Sequence, residues 1–327
     1  MKVKLAELKA TTRKAILHYG YTDREADIIE EILLYAQLRG NNQGVVKLIG
    51  KGIPKRDEAS NPKIVKETPV SALFDGNKTH AMIVMTLVAD TAIAKAKKSG
   101  VGIVGNFNTA ESSGAIGYYV SKVAKEDLIG IAYASSPFKT TAPYGSTEAL
   151  LCTNPVAYGI PTENDPIVLD MTTSAMAYYG LIEAKTASKM VPEGSGYDKD
   201  GTSTEDPAEI MSGALKTFGG HRGSGLALIG QIFAGAWVQA DSFNSDSDNA
   251  GNLVMAIDPE ILTSKEAFKK EVSLIVKRIR AAKKAKGVTE IRIPGERGNS
   301  FYSKVLTSGE IEVENNLYKE LEMVANK

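Results

Sequence analysis

The sequence predicts an α/β fold in which a mixed sheet with flanking helices is framed by helical N-terminal and C-terminal parts. Three observations predict it. Short runs rich in Val, Ile and Leu alternate with helical periods through the middle of the chain; two amphipathic helices precede them, and a strongly charged helical pattern follows. The expected division is a helical part at residues 1–70 packed with the C-terminal part at residues 260–327, around a central α/β body at residues 71–259.

In chain order, Leu5, Leu8, Ala15 and Ile16 recur at helical spacing and stop before Gly20. Thr22 and Glu25 form a capping box that opens a second helix, with Ile28, Ile29, Ile32, Leu33 and Tyr35 facing inward. The polar, proline-marked stretch from Lys51 to Pro69 reads as a connector. Strands are expected at residues 101–104, 128–134, 156–161, 167–171, 253–257 and 290–293, and helices at 82–98, 117–126, 207–218, 224–239 and 265–284. Asp206 as cap with Pro207 in the first turn is strong start chemistry for the third of these helices. The Gly/Asp/Ser-rich stretch between Lys189 and Glu205 reads as a surface loop.

Composition restricts the partners. The chain has 327 residues, is 43% hydrophobic, and carries 39 basic against 39 acidic residues, so it has core enough for a large body and no global field for nucleic acid or an anionic membrane. No apolar run approaches the roughly 20 residues that span a bilayer, and the first residues lack the apolar block of a secretion signal. A cytoplasmic protein with a small-molecule partner is expected. The lone Cys152 excludes an internal disulfide framework and reads as a small buried side chain.

The most informative segment is Phe218-Gly-Gly-His-Arg-Gly-Ser-Gly225, which runs into a helix with Leu226, Ile229 and Phe233 on one face. Bare backbone N–H groups and a fixed positive charge there share a helix N-terminus, which is an anion site; a glycine turn that lets a loop pass a helix is the plainer alternative. Neither the Rossmann nor the P-loop fingerprint is present, so a nucleotide must be held by other turns. Asn154-Pro155, Asp170-Met-Thr-Thr-Ser174 and Gly295-Glu-Arg297 offer amides, hydroxyls and charge for that purpose, though each alone reads as a capped turn. His18 reads as a helix C-terminal cation and His80 as the cap of the helix that begins near Met82, and no pair of histidines has metal-ligand spacing, so no metal is expected. Lys95, Lys97 and Lys98 and the Lys/Arg run from Lys277 to Lys286 follow helical spacing as solvated faces or a dimer rim.

Taken together and in order, these segments resemble the type-2 malate/L-lactate dehydrogenase family, which also includes ureidoglycolate, sulfolactate and cyclic-imine carboxylate reductases. The resemblance runs through Ala36–Gly40 with Gly44–Leu48, Gly114–Tyr119, Ala142–Gly145, Thr153–Pro155, Val168–Ser174, Gly219–Gly223 and Ile293–Arg297. It implies an NAD(P)-binding fold distinct from the Rossmann type, a homodimer, and hydride transfer between NAD or NADP and a small 2-oxo or 2-hydroxy acid, or an imino acid. It also implies that Asp170, Met171, Thr172, His221, Arg222, Gly295, Glu296 and Arg297 touch the dinucleotide. Asn154 and Ser135 join this set, Ser135 towards the nicotinamide amide or the substrate's carbonyl oxygen.

The chemistry region departs from that family. Where the resemblance leads one to expect a Ser-His-Gly and a following Arg, this chain has Gln43 and Lys47; a second expected His, ahead of the paired tyrosines, is replaced in a segment about three residues longer, with Glu111 near its place. Gln does not titrate near neutrality as imidazole does, so the ordinary proton transfer is broken. Lys offers a point charge where Arg would grip both carboxylate oxygens. Three readings compete: an enzyme retooled with Glu111 or Lys139 for the proton, Lys47 for the carboxylate, Lys139 or Ser135 for the carbonyl and Gln43 as a hydrogen-bonding group; a catalytically silent dinucleotide- or metabolite-binding homologue; or a lyase or epimerase using Glu111 and Lys47 without net redox change.

Overall fold

The structure is a computed structural model that describes residues 1–241 and 247–327. In chain order the elements are β1 (Lys2–Lys4), α1 (Leu5–His18), α2 (Asp23–Gln37), a 3-10 turn at Val45–Leu48, β2 (Lys63–Glu67), β3 (Ser71–Asp75), α3 (Ala81–Ser99), β4 (Val101–Thr109), α4 (Gly117–Lys125), β5 (Ile129–Ser135), β6 (Val156–Ile160) and β7 (Ile167–Met171). After these come α5 (Tyr178–Thr186), β8 (Gly196–Tyr197), β9 (Ser203–Thr204), α6 (Pro207–Ser212), β10 (Ala214–Leu215), α7 (His221–Ala234), β11 (Ala250–Ile257), α8 (Lys265–Arg280), α9 (Glu296–Ser308), β12 (Glu310–Glu312) and α10 (Asn315–Ala325).

Seven strands form one mixed sheet in the order β2-β3-β4-β11-β5-β6-β7. β3 and β4 are parallel because α3 crosses between them, and the other neighbours are antiparallel. β11 arrives late in the chain yet lies at the centre, with Met255 opposite both Ile103 and Ile131, and it is almost wholly buried. Covered on both faces, it shows the unbroken apolar run, rather than the alternation, of a central strand.

The two faces carry different cores. α3, α4 and the N-terminal helices cover one, burying Met82, Met85, Val88, Tyr119, Val120 and Val123 with Ile29, Ile32 and Leu33 of α2. α7 covers the other, against Tyr133, Val156 and Leu253. The Thr22–Glu25 capping box closes as expected, with Glu25 accepting from the Thr22 N–H at 2.8 Å. The chain's two ends meet: β1 pairs with β12, Val3 opposite Ile311, and α1 packs on α10 with Leu8, Ile16, Leu317 and Leu321 buried together.

Seven expectations are corrected. The helix expected at 207–218 ends at Ser212, because Gly213 leaves helical geometry and the chain turns into β10. The helix expected at 224–239 starts three residues earlier, at His221, and ends at Ala234; its buried stripe is Gly223, Ala227, Gly230 and Ala234, while Ile229 is exposed. The final helix of that set ends at Arg280, and residues 290–293 form no strand, pairing with no neighbour in the sheet. The Lys51–Pro69 connector contains β2, and the 189–205 loop contains β8 and β9, with Val191 and Ser195 buried. Cys152 is half-buried rather than buried, beside the Ser136 hydroxyl at 3.2 Å.

The close seating of α4 on the sheet needs Gly159 in β6, where a Cβ would lie 2.1 Å from the Val120 carbonyl oxygen. Gly159→Ala therefore forces helix and sheet apart, and an unfolding free energy lower by about 1–3 kcal/mol is expected in urea titration. An unchanged midpoint would show that α4 yields without cost.

Candidate active site

One group of residues gathers at β7 and the start of α7. The Thr153 carbonyl accepts from the hydroxyls of Thr172 and Thr173, at 3.0 and 2.9 Å, which pins the Asp170–Ser174 turn beneath β6. The Phe218 N–H donates to the Thr173 carbonyl at 3.1 Å and the Ala175 N–H to the Lys216 carbonyl at 2.7 Å, so the turn and the glycine-rich segment run side by side. Gly219 and Gly220 have φ of +55° and +63°, a region that costs only glycine nothing, and they deliver exposed His221 and Arg222 into the first turn of α7. Gly295 packs on the Val168 backbone, bringing the Gly-Glu-Arg segment to the same strand. Arg297 is exposed, whereas Glu296 is tied to Arg280 and accepts from the Ile293 N–H at 2.7 Å.

Other members of the expected set are inward. The Ser135 hydroxyl donates to Asn154 Oδ1 at 3.1 Å, and Asn154 Nδ2 donates to the Ala227 carbonyl and to Gln231. Both side chains are buried and fasten β5 to α7, which makes them supports of the turn. Asp170 accepts from the Gly117 N–H at 2.8 Å at the start of α4, and burial pushes its carboxyl up to about 6. Met171 packs half-buried against the α7-side core.

A second group forms around Lys47. The turn at Val45–Leu48 is wholly buried, and the Lys47 side chain, 1% exposed, ends with Nζ 3.3 Å from the centroid of the Tyr179 ring and 2.8 Å from Ser112 Oγ. Burial drives this ammonium well below the ordinary lysine range, opposed by the charge of Glu111. Glu111 lies in the segment between β4 and α4 with φ +60°, a strained conformation for a side chain of its size. Its carboxyl is raised by burial, and Arg56, 3.5 Å away, holds it down. Arg56 reaches Asp248 at 3.8 Å, and its Nε has no partner among the described residues.

His80 completes this group. Its Nδ1 accepts from the Met82 N–H at 3.1 Å, which caps α3 and places the proton on Nε2. The Nε2 has no partner among the described residues, and the Tyr21 ring stands edge-on 5.7 Å away. Burial first, then the charge of Lys47, lowers this imidazole to about 3.

A sequence profile of the malate/L-lactate dehydrogenase family matches residues 3–322. This chain belongs to that family. Among relatives, the L-sulfolactate dehydrogenase of Methanocaldococcus jannaschii is 33% identical, covering 94% of this chain and 92% of that protein. The ureidoglycolate dehydrogenase (NAD(+)) of Escherichia coli is 27% identical, covering 98% of this chain and 95% of its own length. The solved structure of malate dehydrogenase from Pyrococcus horikoshii OT3 superposes with a TM-score of 0.85 at 27% identity, over 100% of this chain and 95% of that one. The malate/L-lactate dehydrogenase family relation thus covers both groups of residues, and the mixed sheet is the family's fold.

Of the expected chemical residues, Lys47 and Glu111 come together. Gln43 lies half-buried in the turn after α2, where its N–H donates to Asn41 Oδ1 at 2.9 Å. Lys139 is exposed on the segment after β5, next to exposed Phe138. Ser112, Tyr179 and Arg56 were not anticipated. Ser112 neighbours Glu111 in the lengthened segment, and Tyr179 follows the Asp170–Ser174 turn, linking the two groups; neither type carries a spacing that would announce it. Among the described residues no group of three metal-ligating side chains occurs, and no helix is long and apolar enough to cross a membrane.

The His80 environment has a consequence for stability. An imidazole with a lowered folded pKa stabilises the fold fully above its unfolded value near 6.5, and that contribution is lost as pH falls from there towards 3, by at most about 1.4 kcal/mol per pH unit for one proton. His80→Asn keeps a capping acceptor without the titration. Denaturant melts of this variant should fall less steeply between pH 6.5 and 4 than those of wild type, and identical slopes would contradict the assignment.

Proposed function

We propose that this chain is an NAD- or NADP-dependent oxidoreductase that passes a hydride to or from a small 2-oxo or 2-hydroxy acid, or an imino acid, with a proton-handling centre built on Lys47 and Glu111 in place of histidine. The observation that carries this reading is the buried Lys47 centre under Tyr179, a residue of α5 a few positions after the hydroxyl-rich Asp170–Ser174 turn, which itself runs beside the glycine-rich start of α7. Relatives that are sulfolactate, malate and ureidoglycolate dehydrogenases support the substrate class.

The residues suited to the dinucleotide are Thr172, His221, Arg222 and Arg297, with Asp170, Met171, Gly295 and Glu296 shaping the turns that present them. The open backbone at Gly219, where a Cβ would meet nothing within 4 Å, and exposed Arg222 fit a diphosphate at a helix N-terminus. When bound, the nicotinamide supplies the hydride. The chain's own residues hold the acid and manage the proton. Arg56, with a free Nε and loosely held carboxylate neighbours, is placed to take the substrate carboxylate in the role expected of Lys47, whose Nζ is already enclosed. Glu111, favoured in its neutral form by burial, is the exchangeable proton store. Gln43 and Lys139 remain at the margins as hydrogen-bonding and charge-bearing groups.

The test is a panel of small oxo, hydroxy and cyclic imino acids with both dinucleotides. Turnover with at least one acid is expected, with kcat reduced about 10²-fold or more in Glu111→Gln and no gain in Gln43→His. Arg222→Ala should weaken dinucleotide binding about tenfold. Dinucleotide binding without turnover would assign the silent role instead, and absence of both would reject the reading.

The proposal includes a homodimer. Leu228, Ile229, Ile232 and Trp237 stand 42–53% exposed on and after α7, and Leu274, Ile275 and Ile279 stand 44–49% exposed on α8, a helix with no buried residue. Such apolar stripes are unfavourable in water without a partner. Light scattering should return twice the chain mass of 35.0 kDa, and a monomer at micromolar concentration would contradict it.

A further inference from the structure

We propose that the Ser112 hydroxyl is the group that exchanges a proton with the substrate's oxygen, and that Lys47 behind it is its proton partner. This rests on the oxidoreductase reading above and names the atom at which its proton moves.

The hydrogen bonds of Ser112 carry the inference. A serine oxygen has two acceptor positions and one hydrogen. Here Lys47 Nζ donates to Oγ at 2.8 Å and the Gly114 N–H donates to it at 3.3 Å, so both acceptor positions are taken. Among the described residues nothing accepts the hydroxyl's own hydrogen, which is left for a group outside the chain.

Burial gives the order of the relay. Lys47 is enclosed at 1% exposure under the Tyr179 ring, whereas Ser112 is half-buried, so an incoming carbonyl meets the hydroxyl before the amine. The strained backbone at the adjacent Glu111, φ +60°, is the local distortion that turns the segment towards Lys47. The ionisable groups facing Lys47 are Glu111 from the β4–α4 segment, His80 at the start of α3 and Tyr179 on α5; Arg56 and Asp248 act on it through Glu111.

In the reducing direction, a bound reduced nicotinamide dinucleotide would supply hydride to the carbonyl carbon, leaving the π pair on the oxygen to be met by a proton. The oxygen takes the Ser112 hydrogen as Oγ takes a proton from the Lys47 ammonium; the resulting amine is reprotonated from water, with Glu111 as the local store. Oxidation reverses each transfer, and it requires Lys47 as the free amine. Hydroxy-acid oxidation therefore accelerates as pH rises through the Lys47 titration, below the ordinary lysine range, and carbonyl reduction slows over the same interval.

The test has two arms. With an accepted acid, Ser112→Ala should lower kcat about 10²- to 10⁴-fold with KM changed only a few-fold, Ser112→Thr should restore most of the rate, and Lys47→Met should abolish the pH midpoint of oxidation. In cofactor-free protein, methanesulfonyl fluoride should label Ser112, as read by peptide mass spectrometry, at a rate at least tenfold lower in Lys47→Met, whose unbranched side chain fills the same space. Wild-type kcat in Ser112→Ala, with wild-type turnover intact, would overturn the inference and leave the oxidoreductase reading standing. A wild-type chain that turns over no acid would overturn that reading, and the labelling arm then decides: no Ser112 adduct, or an equal rate in Lys47→Met, refutes the pair, and a Lys47-dependent adduct upholds it.

Discussion

The Lys47 side chain ends in a desolvated hollow roofed by the Tyr179 ring and closed by the Ser112 hydroxyl. An ammonium so enclosed is costly unless it is paired, and among the described residues the compensation is one hydrogen bond, one aromatic face and the field of Glu111. Those compensating groups come from two places far from the Val45–Leu48 turn that carries Lys47: the segment between β4 and α4, and the first turn of α5. The hollow therefore exists only when the sheet, α5 and the N-terminal helices are assembled together. His80, capping α3 from the same region, is held neutral partly by the same charge.

β7 organises the other half of the site. On one side its end is tied through Thr172 and Thr173 to the Thr153 carbonyl; on another, Val168 seats Gly295 and Asp170 meets the start of α4. A single edge strand thus gathers the hydroxyl turn, the glycine-rich helix start and the Gly-Glu-Arg segment, which are far apart in sequence. Because α5 begins only a few residues beyond that strand, the glycine-rich group at β7 and α7 and the Lys47 group keep a fixed relation. The proposed hydride and proton transfers need such a fixed relation, since a displacement of about 1 Å can cost 10²-fold in rate.

Much of the fold was legible in local pattern. The Thr22–Glu25 box, the Asp206–Pro207 start and the apolar runs of β5, β6 and β7 each had chemistry or periodicity sufficient to place them. The errors came where tertiary partners decide. Residues 290–293 have strand composition but pair with no strand, α6 stops at a glycine whose geometry is set by packing, and α7 begins inside a glycine segment that reads locally as loop. For the site, Lys47 and Glu111 were found because they depart from a familiar pattern. Ser112 was not, because a serine in a polar turn carries no signal until the chain brings it, 65 residues on, to the Lys47 ammonium. Ser135 and Asn154 illustrate the converse: they have suitable chemistry, but the structure spends it on each other and on α7.

The account stands on how Lys47 ionises. Its Nζ resonance, followed by nitrogen-detected NMR in protein labelled at lysine and identified by its loss in Lys47→Met, reports the titration without substrate or cofactor. The account requires a midpoint well below the ordinary lysine range; a Lys47 that stays charged up to or beyond that range would show a permanent structural cation and would contradict it.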